Sequence, residues 1–532
     1  MSSFMVCLFI LSIIGPSLVL SFNLRVDTGL QWRSGIAVKP SSHLRMITTE
    51  ELKSNVDLSS QIYCNVEMNA DYIEAVGFDM DFTLAQYNEE FDLLAFEGAK
   101  QKLHQVLGYP KEVLDFPYSS TKFRRGLVID KKRGNILKID RHKYVRTVYH
   151  GLEEVGRDER KDIYNSAKEV VTFTGSNFVN IDTIFLLIDA LLFMYLVDLR
   201  DSSPILRDKS YEQLYKDVRH SVDLCHIDGV IKDSVMNDPA KYIVYDEGLV
   251  PALKQLRHAG KKVFLLTNSL YDYTNEVMKY IVHGRGDNKD INHWKDLFDV
   301  SIVGAAKPAF LTNDMLGLFS VDENGLLQNI EDKESISNMS PGHKNVFQGG
   351  YWADLHRMLD IDHGDKIMYV GDHMYSDILR SKRSLGWRTC LIIPELDHEA
   401  AVAKQEYALF SEVLKLRRLQ YDLDEYIDML RMEIRQGKDE FLAKLEEAES
   451  QALRLKKEVR SANEEYNRKF NPLWGQLFKA GHHDSRFAKQ VRNYACLYTS
   501  RVSNLGQVSP NRPFRPVQDF MPHDQVIFES ID

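Results

Sequence analysis

The chain has little cysteine: five residues in 532, Cys7, Cys64, Cys225, Cys390 and Cys496. No two stand close enough for a CxxC pair. That excludes a disulfide scaffold and a zinc-finger pattern, and reduced, partly buried thiols are expected. An excess of positive charge is also missing. Lys and Arg total 67 against 77 Asp and Glu, a formal net charge of −10. This argues against nucleic acid as a main partner, because phosphate backbones select a basic surface. A small phosphorylated substrate, which needs only a local positive pocket, stays open.

Long unbroken apolar runs are scarce. Phe4 to Leu20 is almost wholly apolar but short, and Gly15 and Pro16 interrupt it. Ile181 to Val197 carries Asp182 and Asp189, so it reads as a buried helix and not as a membrane span. No internal repeat is visible between about 90 and 245.

Hydrophobic residues make up 44% and charged residues 27%, the balance of an ordinary globular protein. At roughly 100–200 residues per domain the length allows about three domains. Residues 1–21 resemble the apolar part of a signal peptide, although no Lys or Arg precedes it. Residues 22–50 are basic, Ser-containing and acid-poor, as transit peptides are. Together they suggest a bipartite leader into a plastid. A secretory signal or a cytoplasmic chain are the alternatives. No stable membrane insertion is expected once such a leader is removed.

From about 246 the pattern becomes regular. Leu249 to His258 is amphipathic, and Lys262 to Leu266 reads as a strand. Tyr273 to Ile281 reads as a helix and Val300 to Val303 as a strand. A helix over 351–359 precedes a strand at Ile367 to Val370. A helix over 377–384 precedes a strand over 389–393. Strands alternating with helices predict a doubly wound parallel sheet covered on both faces. The run Ala75 to Phe78 reads as one more buried strand. Over 400–470, Leu423, Ile427, Leu430, Ile434, Phe441, Leu445, Ala448, Ala452, Leu455 and Val459 recur at steps of three, four or seven. That is the signature of long packed helices, and Gly437 is the expected break of a hairpin. The proline-rich stretch from Ser509 reads as an irregular tail.

Four short segments each follow an expected strand. In open parallel sheets, ligands bind at the carboxyl ends of strands. Asp79-Met80-Asp81-Phe82-Thr83 offers two carboxylates two residues apart: one can attack phosphorus and the other can protonate a leaving alcohol. An acidic surface turn is the plain alternative. Thr267-Asn268-Ser269 offers a hydroxyl and amides for phosphate oxygens, or simply a helix cap. Lys307 can neutralise a phosphoryl group, or be a surface lysine. Gly371 to Asp377 places acids suited to an oxygen-liganded Mg²⁺.

In this order the segments match the DxDxT, T/S, K and GDxxxxD motifs of the haloacid dehalogenase (HAD) superfamily. The flanking text resembles the cytosolic purine 5′-nucleotidases: GFDMDFTLAQY (77–87), RGLVID (125–130), GNILKID (134–140), VFLLTNS (263–269), YDYTNEVM (271–278), YVGDHMYSDILRSKRSLGWRT (369–389), IPEL (393–396), FAKQVRNYACLY (487–498) and FMPHD (520–524). The resemblance spans roughly residues 70 to 525.

It implies a HAD-like α/β core (70–90 and 246–396), a cap insert (91–245), a helical extension (397–508) and a tail (509–532). By position, Asp79 would be the nucleophile and Asp81 the general acid, later the base. Asp79, the Asp81 carbonyl and Asp372 would hold Mg²⁺, with Asp377 supporting the metal shell. Thr267, Asn268, Ser269 and Lys307 would bind phosphate. Arg219, Asp223, His226 and Lys232 would contact the nucleoside. By spacing alone, Arg219, Asp223 and His226 are one polar face of a helix. Phe178 is the nearest aromatic to the family's base-stacking position, in a stretch (173–183) whose neighbours depart from the family. The implied activity is Mg²⁺-dependent hydrolysis of purine nucleoside monophosphates through an aspartyl-phosphate, by a homo-oligomer. The competing readings are a HAD phosphatase acting on another small phosphate ester, and an interaction protein with a vestigial site.

Overall fold

The computed structural model describes residues 61–164, 172–284, 293–312, 316–322, 324–330, 346–517, 519 and 523. The leader expected over 1–50 and most of the FMPHD segment lie outside these residues. None of the described helices is long and apolar enough to cross a membrane.

Among the described residues, ten strands form one central sheet. Its middle is parallel, in the spatial order Val346–Gly349, Val300–Val303, Lys262–Leu266, Ala75–Phe78, Ile367–Gly371, Arg388–Ile392 and Leu497–Thr499. Antiparallel strands close both edges: Tyr63–Cys64 at one end, Leu318–Val321 and then Leu327–Asn329 at the other. The parallel strands are short apolar runs because helices cover both faces, leaving no solvent side to favour alternation. Ala75–Phe78 and Val300–Val303 are buried at every position.

The expected strands at 262–266 and 300–303 appear with those bounds, and Leu249–His258 is the expected helix. The boundary expected at residue 396 is crossed, however. Leu497–Thr499, read as part of a helical extension, is a strand of the central sheet, parallel to Arg388–Ile392. Its residues are too few to show a period, and its place depends on partners a hundred residues earlier.

In sequence, between Ala75–Phe78 and Lys262–Leu266, lies a five-stranded antiparallel sheet, ordered Glu153–Glu154, Val145–His150, Asn135–Ile139, Val128–Asp130, Phe178–Asn180. Helices Glu89–Gln105, Leu187–Ser202, Tyr211–Ile227 and Val230–Asn237 accompany it. Leu187–Ser202 is the apolar segment with the embedded acid, and it is buried from Leu187 through Val197. Tyr211–Ile227 starts at Ser210, whose side chain accepts from the backbone N–H of Gln213.

Helices Tyr407–Arg435 and Leu442–Phe470 form the expected hairpin. Gly437 ends the first helix at φ +88°, a left-handed conformation that costs glycine little. Ile427, Leu430 and Ala448 pack together toward the tip, and Val413, Tyr466 and Phe470 toward the base. Among the described residues of the tail, Pro513–Phe514 pairs with Met68–Asn69.

Candidate active site

Each of the four segments emerges at the carboxyl end of its strand, and the strands are neighbours, so the sheet itself gathers the side chains. Asp79 continues the Ala75–Phe78 strand, and its N–H donates to the Val370 carbonyl of the adjoining strand at 2.9 Å. Its carboxylate accepts from the N–H of Met80 at 2.7 Å and pairs with Lys307 Nζ at 2.9 Å. Lys307 Nζ also reaches Asp377 Oδ1 at 2.9 Å and the Tyr369 hydroxyl at 2.9 Å. That hydroxyl in turn donates to the Leu266 carbonyl at 2.8 Å.

Asn268 positions the lysine. The N–H of Lys307 donates to Asn268 Oδ1 at 2.6 Å, and Asn268 Nδ2 donates back to the Lys307 carbonyl at 3.1 Å. The Thr267 hydroxyl accepts from the N–H of Ser269 at 3.1 Å. Ser269 then donates from Oγ to Asp81 Oδ2 at 2.7 Å, while the Tyr87 hydroxyl donates to Asp81 Oδ1 at 2.6 Å. Tyr87 and Tyr273 hydroxyls lie 2.9 Å apart. Asp81 is thus fixed at both oxygens.

Asp372 and Asp377 come from the turn after Ile367–Gly371. A widened π-helical turn, Met374–Leu379, starts this helix earlier than the expected residue 377. Asp377 accepts from the N–H of His373 at 3.1 Å. A Cβ on Gly371 would come within 2.6 Å of Asp377 Oδ2, so only glycine leaves room for that carboxylate. Asp79, Asp372 and Asp377 each offer an oxygen within 4.8 Å of the others, and all three are buried.

The electrostatics are those of an acidic site short of positive charge. Burial pushes the Asp79 carboxyl up to about 7, with Lys307 opposing and Asp377 and Asp81 adding to the rise. Burial, then Asp377 and Asp79, push Asp372 well above the usual carboxylate range. Burial also raises Asp81, against the hydrogen bonds from Tyr87 and Ser269 and the charges of Lys307 and Lys232. Lys307 is held well above its ordinary value by Asp377 and Asp79, despite its burial. Three buried carboxylates facing one lysine form an all-oxygen donor set with negative charge to spare, which suits a hard divalent cation.

The residues expected to read a nucleoside divide. Arg219, Asp223 and His226 share the Tyr211–Ile227 helix. Arg219 grips the buried Asp189 through Nη1 at 3.1 and 3.0 Å, and Asp223 through Nε at 3.0 Å and Nη2 at 2.5 Å. His226 lies 6.4 Å, centroid to centroid, from the Phe185 ring. Lys232 on the next helix is half-buried, and its charge acts on both His226 and Asp81.

Phe178 is elsewhere: it is in the small antiparallel sheet, packed 5.4 Å from Phe173. The aromatic brought to His226 is Phe185, which also meets Phe82, the neighbour of Asp81, at 4.7 Å. Thr183 caps that turn by accepting from the N–H of Phe185, and its hydroxyl donates to Asp372 Oδ2 at 3.5 Å. Sequence reasoning gave no role to Tyr87, Tyr273, Tyr369, Arg125, Glu395, Thr183, Phe185 or Asp189. Most stand inside the recognisable segments, and the signal was an aromatic or charged residue in an otherwise apolar strand or turn.

A mixed α/β protein with a central parallel-rich sheet and a buried acidic, metal-competent cluster at its carboxyl edge is a class shared by many phosphate-handling enzymes. The comparisons narrow it: the sequence profile of the 5' nucleotidase family matches residues 62–526, and the chain belongs to that family. It is 28% identical over 474 residues to 5'-nucleotidase domain-containing protein 2 of Rattus norvegicus, covering 87% of this chain and 80% of the relative. It is 27% identical over 474 residues to the protein of the same name from Homo sapiens, covering 87% and 85%. Membership supports a hydrolase acting on nucleotide phosphate monoesters.

Proposed function

We propose that the chain is a Mg²⁺-dependent 5′-nucleotidase of HAD type that hydrolyses purine nucleoside monophosphates through an aspartyl-phosphate. One observation carries the reading above all: the Asp79 carboxylate, at the carboxyl end of the central strand, touches Lys307 at 2.9 Å with Asp372 and Asp377 oxygens within 4.8 Å.

In this reading an Asp79 oxygen attacks phosphorus, and the bond from phosphorus to the 5′ oxygen breaks. Asp81, aimed by Tyr87 and Ser269, gives its proton to the departing 5′ oxygen. It then takes a proton from the water that attacks the acyl phosphate, which frees phosphate and restores Asp79. Splitting one displacement into two lowers each barrier. Lys307 holds the charge of the transferring phosphoryl group, and Thr267, Asn268 and Ser269 line the phosphate site. Asp79, the Asp81 carbonyl and Asp372 would hold the Mg²⁺, with Asp377 in support. When bound, the ion supplies further charge stabilisation.

The insert over 91–245 acts as a cap that brings the nucleoside-reading groups over the phosphate site. Phe185, not Phe178, flanks the base, because its ring lies between His226 and Phe82. Arg219 and Asp223 present the polar edge.

The test is phosphate release from a panel of nucleoside monophosphates and sugar phosphates, with and without Mg²⁺, with Asp79→Asn as the control. Preference for IMP or GMP with an inert control supports the reading. Mg²⁺-dependent turnover of another ester retains the chemistry and replaces the substrate. No turnover at all rejects both.

A further inference from the structure

Asp81 ends a chain of hydroxyls, and the chain has a direction. Tyr87 has a single hydroxyl hydrogen. Its 2.6 Å bond to Asp81 Oδ1 uses that hydrogen, because a carboxylate can only accept. The 2.9 Å contact between the Tyr87 and Tyr273 hydroxyls must then be donated by Tyr273. The order is Tyr273 to Tyr87 to Asp81. Ser269 Oγ donates to the other carboxylate oxygen at 2.7 Å. Each oxygen keeps a second lone pair, so the clamp leaves room for the proton that Asp81 carries in the reaction.

The two phenols come from separate parts of the fold. Gln86 donates from Nε2 to the Phe82 and Thr83 carbonyls, at 3.0 Å each, and so turns the chain back toward Asp81. Tyr87 follows in the short strand Gln86–Tyr87, which pairs antiparallel with Ile243–Val244. Those two strands are the neck of the 91–245 insert. The Tyr87 ring packs on Phe91 at 4.2 Å and on Phe82 at 5.0 Å. Tyr273 stands instead on the Tyr271–His283 helix, just after Ser269, and is 6% exposed. Among the described residues, Tyr87 is the one hydrogen-bond partner of its hydroxyl.

We propose that Tyr273 is a positioning residue for proton transfer at Asp81, acting through Tyr87. The role rests on Asp81 being the general acid of the function proposed above, and it adds a residue that does not itself touch Asp81. Rotation of a carboxyl about its last torsion is soft. Proton delivery needs heavy atoms about 2.6–3.2 Å apart. Ser269 holds one end of the carboxyl from the core, and Tyr87 holds the other from the neck. Donation from Tyr273 commits the Tyr87 hydrogen to Asp81 and strengthens that bond by polarising the phenol. It also ties the neck to the core helix at the point where Asp81 is aimed.

The experiment compares kcat/KM for two esters with the full chain: IMP, or the alkyl phosphate preferred in the panel above, and p-nitrophenyl phosphate. Nitrophenolate departs as a stable anion, whereas an alkoxide needs a proton. kcat/KM covers the steps up to departure of the leaving group, so it reports Asp81 as acid and not as base. Asp81→Asn sets the scale, with a loss on the order of 10²–10⁴-fold on the alkyl ester and much less on the aryl one. Tyr273→Phe should lose roughly tenfold on the alkyl ester and less than about threefold on the aryl one, a part of the same contribution. Tyr87→Phe should lose more on the alkyl ester. The double variant should be no worse than Tyr87→Phe, because Tyr273 acts only through Tyr87. Turnover of the aryl ester also shows that each variant is folded with its nucleophile in place. Equal losses on both esters in Tyr273→Phe, or single losses that multiply in the double variant, would overturn the positioning role while Asp81 stays the acid. Equal losses in Asp81→Asn, or no turnover of either ester by the unsubstituted protein, would overturn the general-acid reading itself and the role of Tyr273 with it.

Discussion

Arg125 donates from Nη1 to the backbone carbonyl of Asp372 at 3.1 Å, while its Nε and Nη2 hold both carboxylate oxygens of Glu395 at 2.8 and 2.5 Å. The guanidinium is fully buried. One planar fork thus braces an acidic residue of the site from behind and ties it to the Glu395–Gln405 helix at the foot of the hairpin. Lysine cannot make both contacts at once. Arg125→Lys should therefore fold yet bind Mg²⁺ roughly 10–100-fold more weakly, the usual scale for losing a group that orients a metal ligand. Calorimetric titration of Mg²⁺ into metal-free protein measures this directly. Unchanged affinity would mean that the strand alone holds Asp372.

In the proposed mechanism Asp79 is the nucleophile, and Asp79→Asn keeps the shape of the side chain but removes its charge. Turnover should fall on the order of 10⁴-fold or more, as for other covalent nucleophiles. Acid quenching with labelled substrate should leave phosphate on the unsubstituted protein and none on the variant. Label retained by the variant would move the nucleophile to another residue.

Lys307→Met should act on stability as well as on rate. It leaves Asp79 and Asp377 buried without the cation both now share. Removing one partner of a buried ion pair typically costs about 3–5 kcal/mol. A divalent ion should recover more of the thermal midpoint in this variant than in the unsubstituted protein. Equal recovery in both would show that the metal does not compensate the same carboxylates.

The parallel core and the four chemical segments were legible because each is local. An apolar run ends in a polar turn, and Lys262–Leu266 or Val300–Val303 needs no distant information to be seen. The edges were not legible. Leu318–Val321 is buried only at Val321 and Leu327–Asn329 is exposed throughout, so neither carries a buried run to mark it. Arg125 and Glu395 both stand in recognisable segments, but they are 270 residues apart and their pairing has no local signature. Phe178 and Phe185 show the same limit. The two rings are seven residues apart, and only the path of the chain after the Phe178–Asn180 strand decides which one reaches His226.

Arg219 is bound to Asp189 as well as to Asp223, and this changes what its substitution should do. The Asp189 side chain is fully buried, and burial lifts its carboxyl to about 6 against the pull of Arg219. Arg219→Met strands that carboxylate. It should destabilise the fold as well as raise KM for a nucleotide. Arg219→Met with Asp189→Leu should recover much of the stability while KM stays high, because a buried pair can give way to packed apolar groups. Denaturant midpoints and KM for both variants separate the two effects. Recovery of KM in the double variant would deny Arg219 a place at the substrate.

His226 supplies a pH test away from the acidic cluster. Burial, then the charges of Arg219 and Lys232, pull its imidazole down to about 4, with Asp223 opposing. It is neutral in the folded protein near pH 7. The ordinary value for an unfolded chain is about 6.5. Between pH 6.5 and 4 the unfolded chain therefore takes a proton that the folded one refuses, and stability falls as pH drops through that window. Above 6.5 both states are neutral and this residue contributes no slope. Asp189, whose carboxyl is raised, acts with the opposite sign over an overlapping range, so the total slope is a sum of terms. The difference between the unsubstituted protein and His226→Gln isolates the histidine. The variant should lose less stability on acidification from 6.5 to 4, and the two curves should run parallel above 6.5. Parallel curves throughout would place His226 in water, away from Arg219 and Lys232, and would remove it from the nucleoside site.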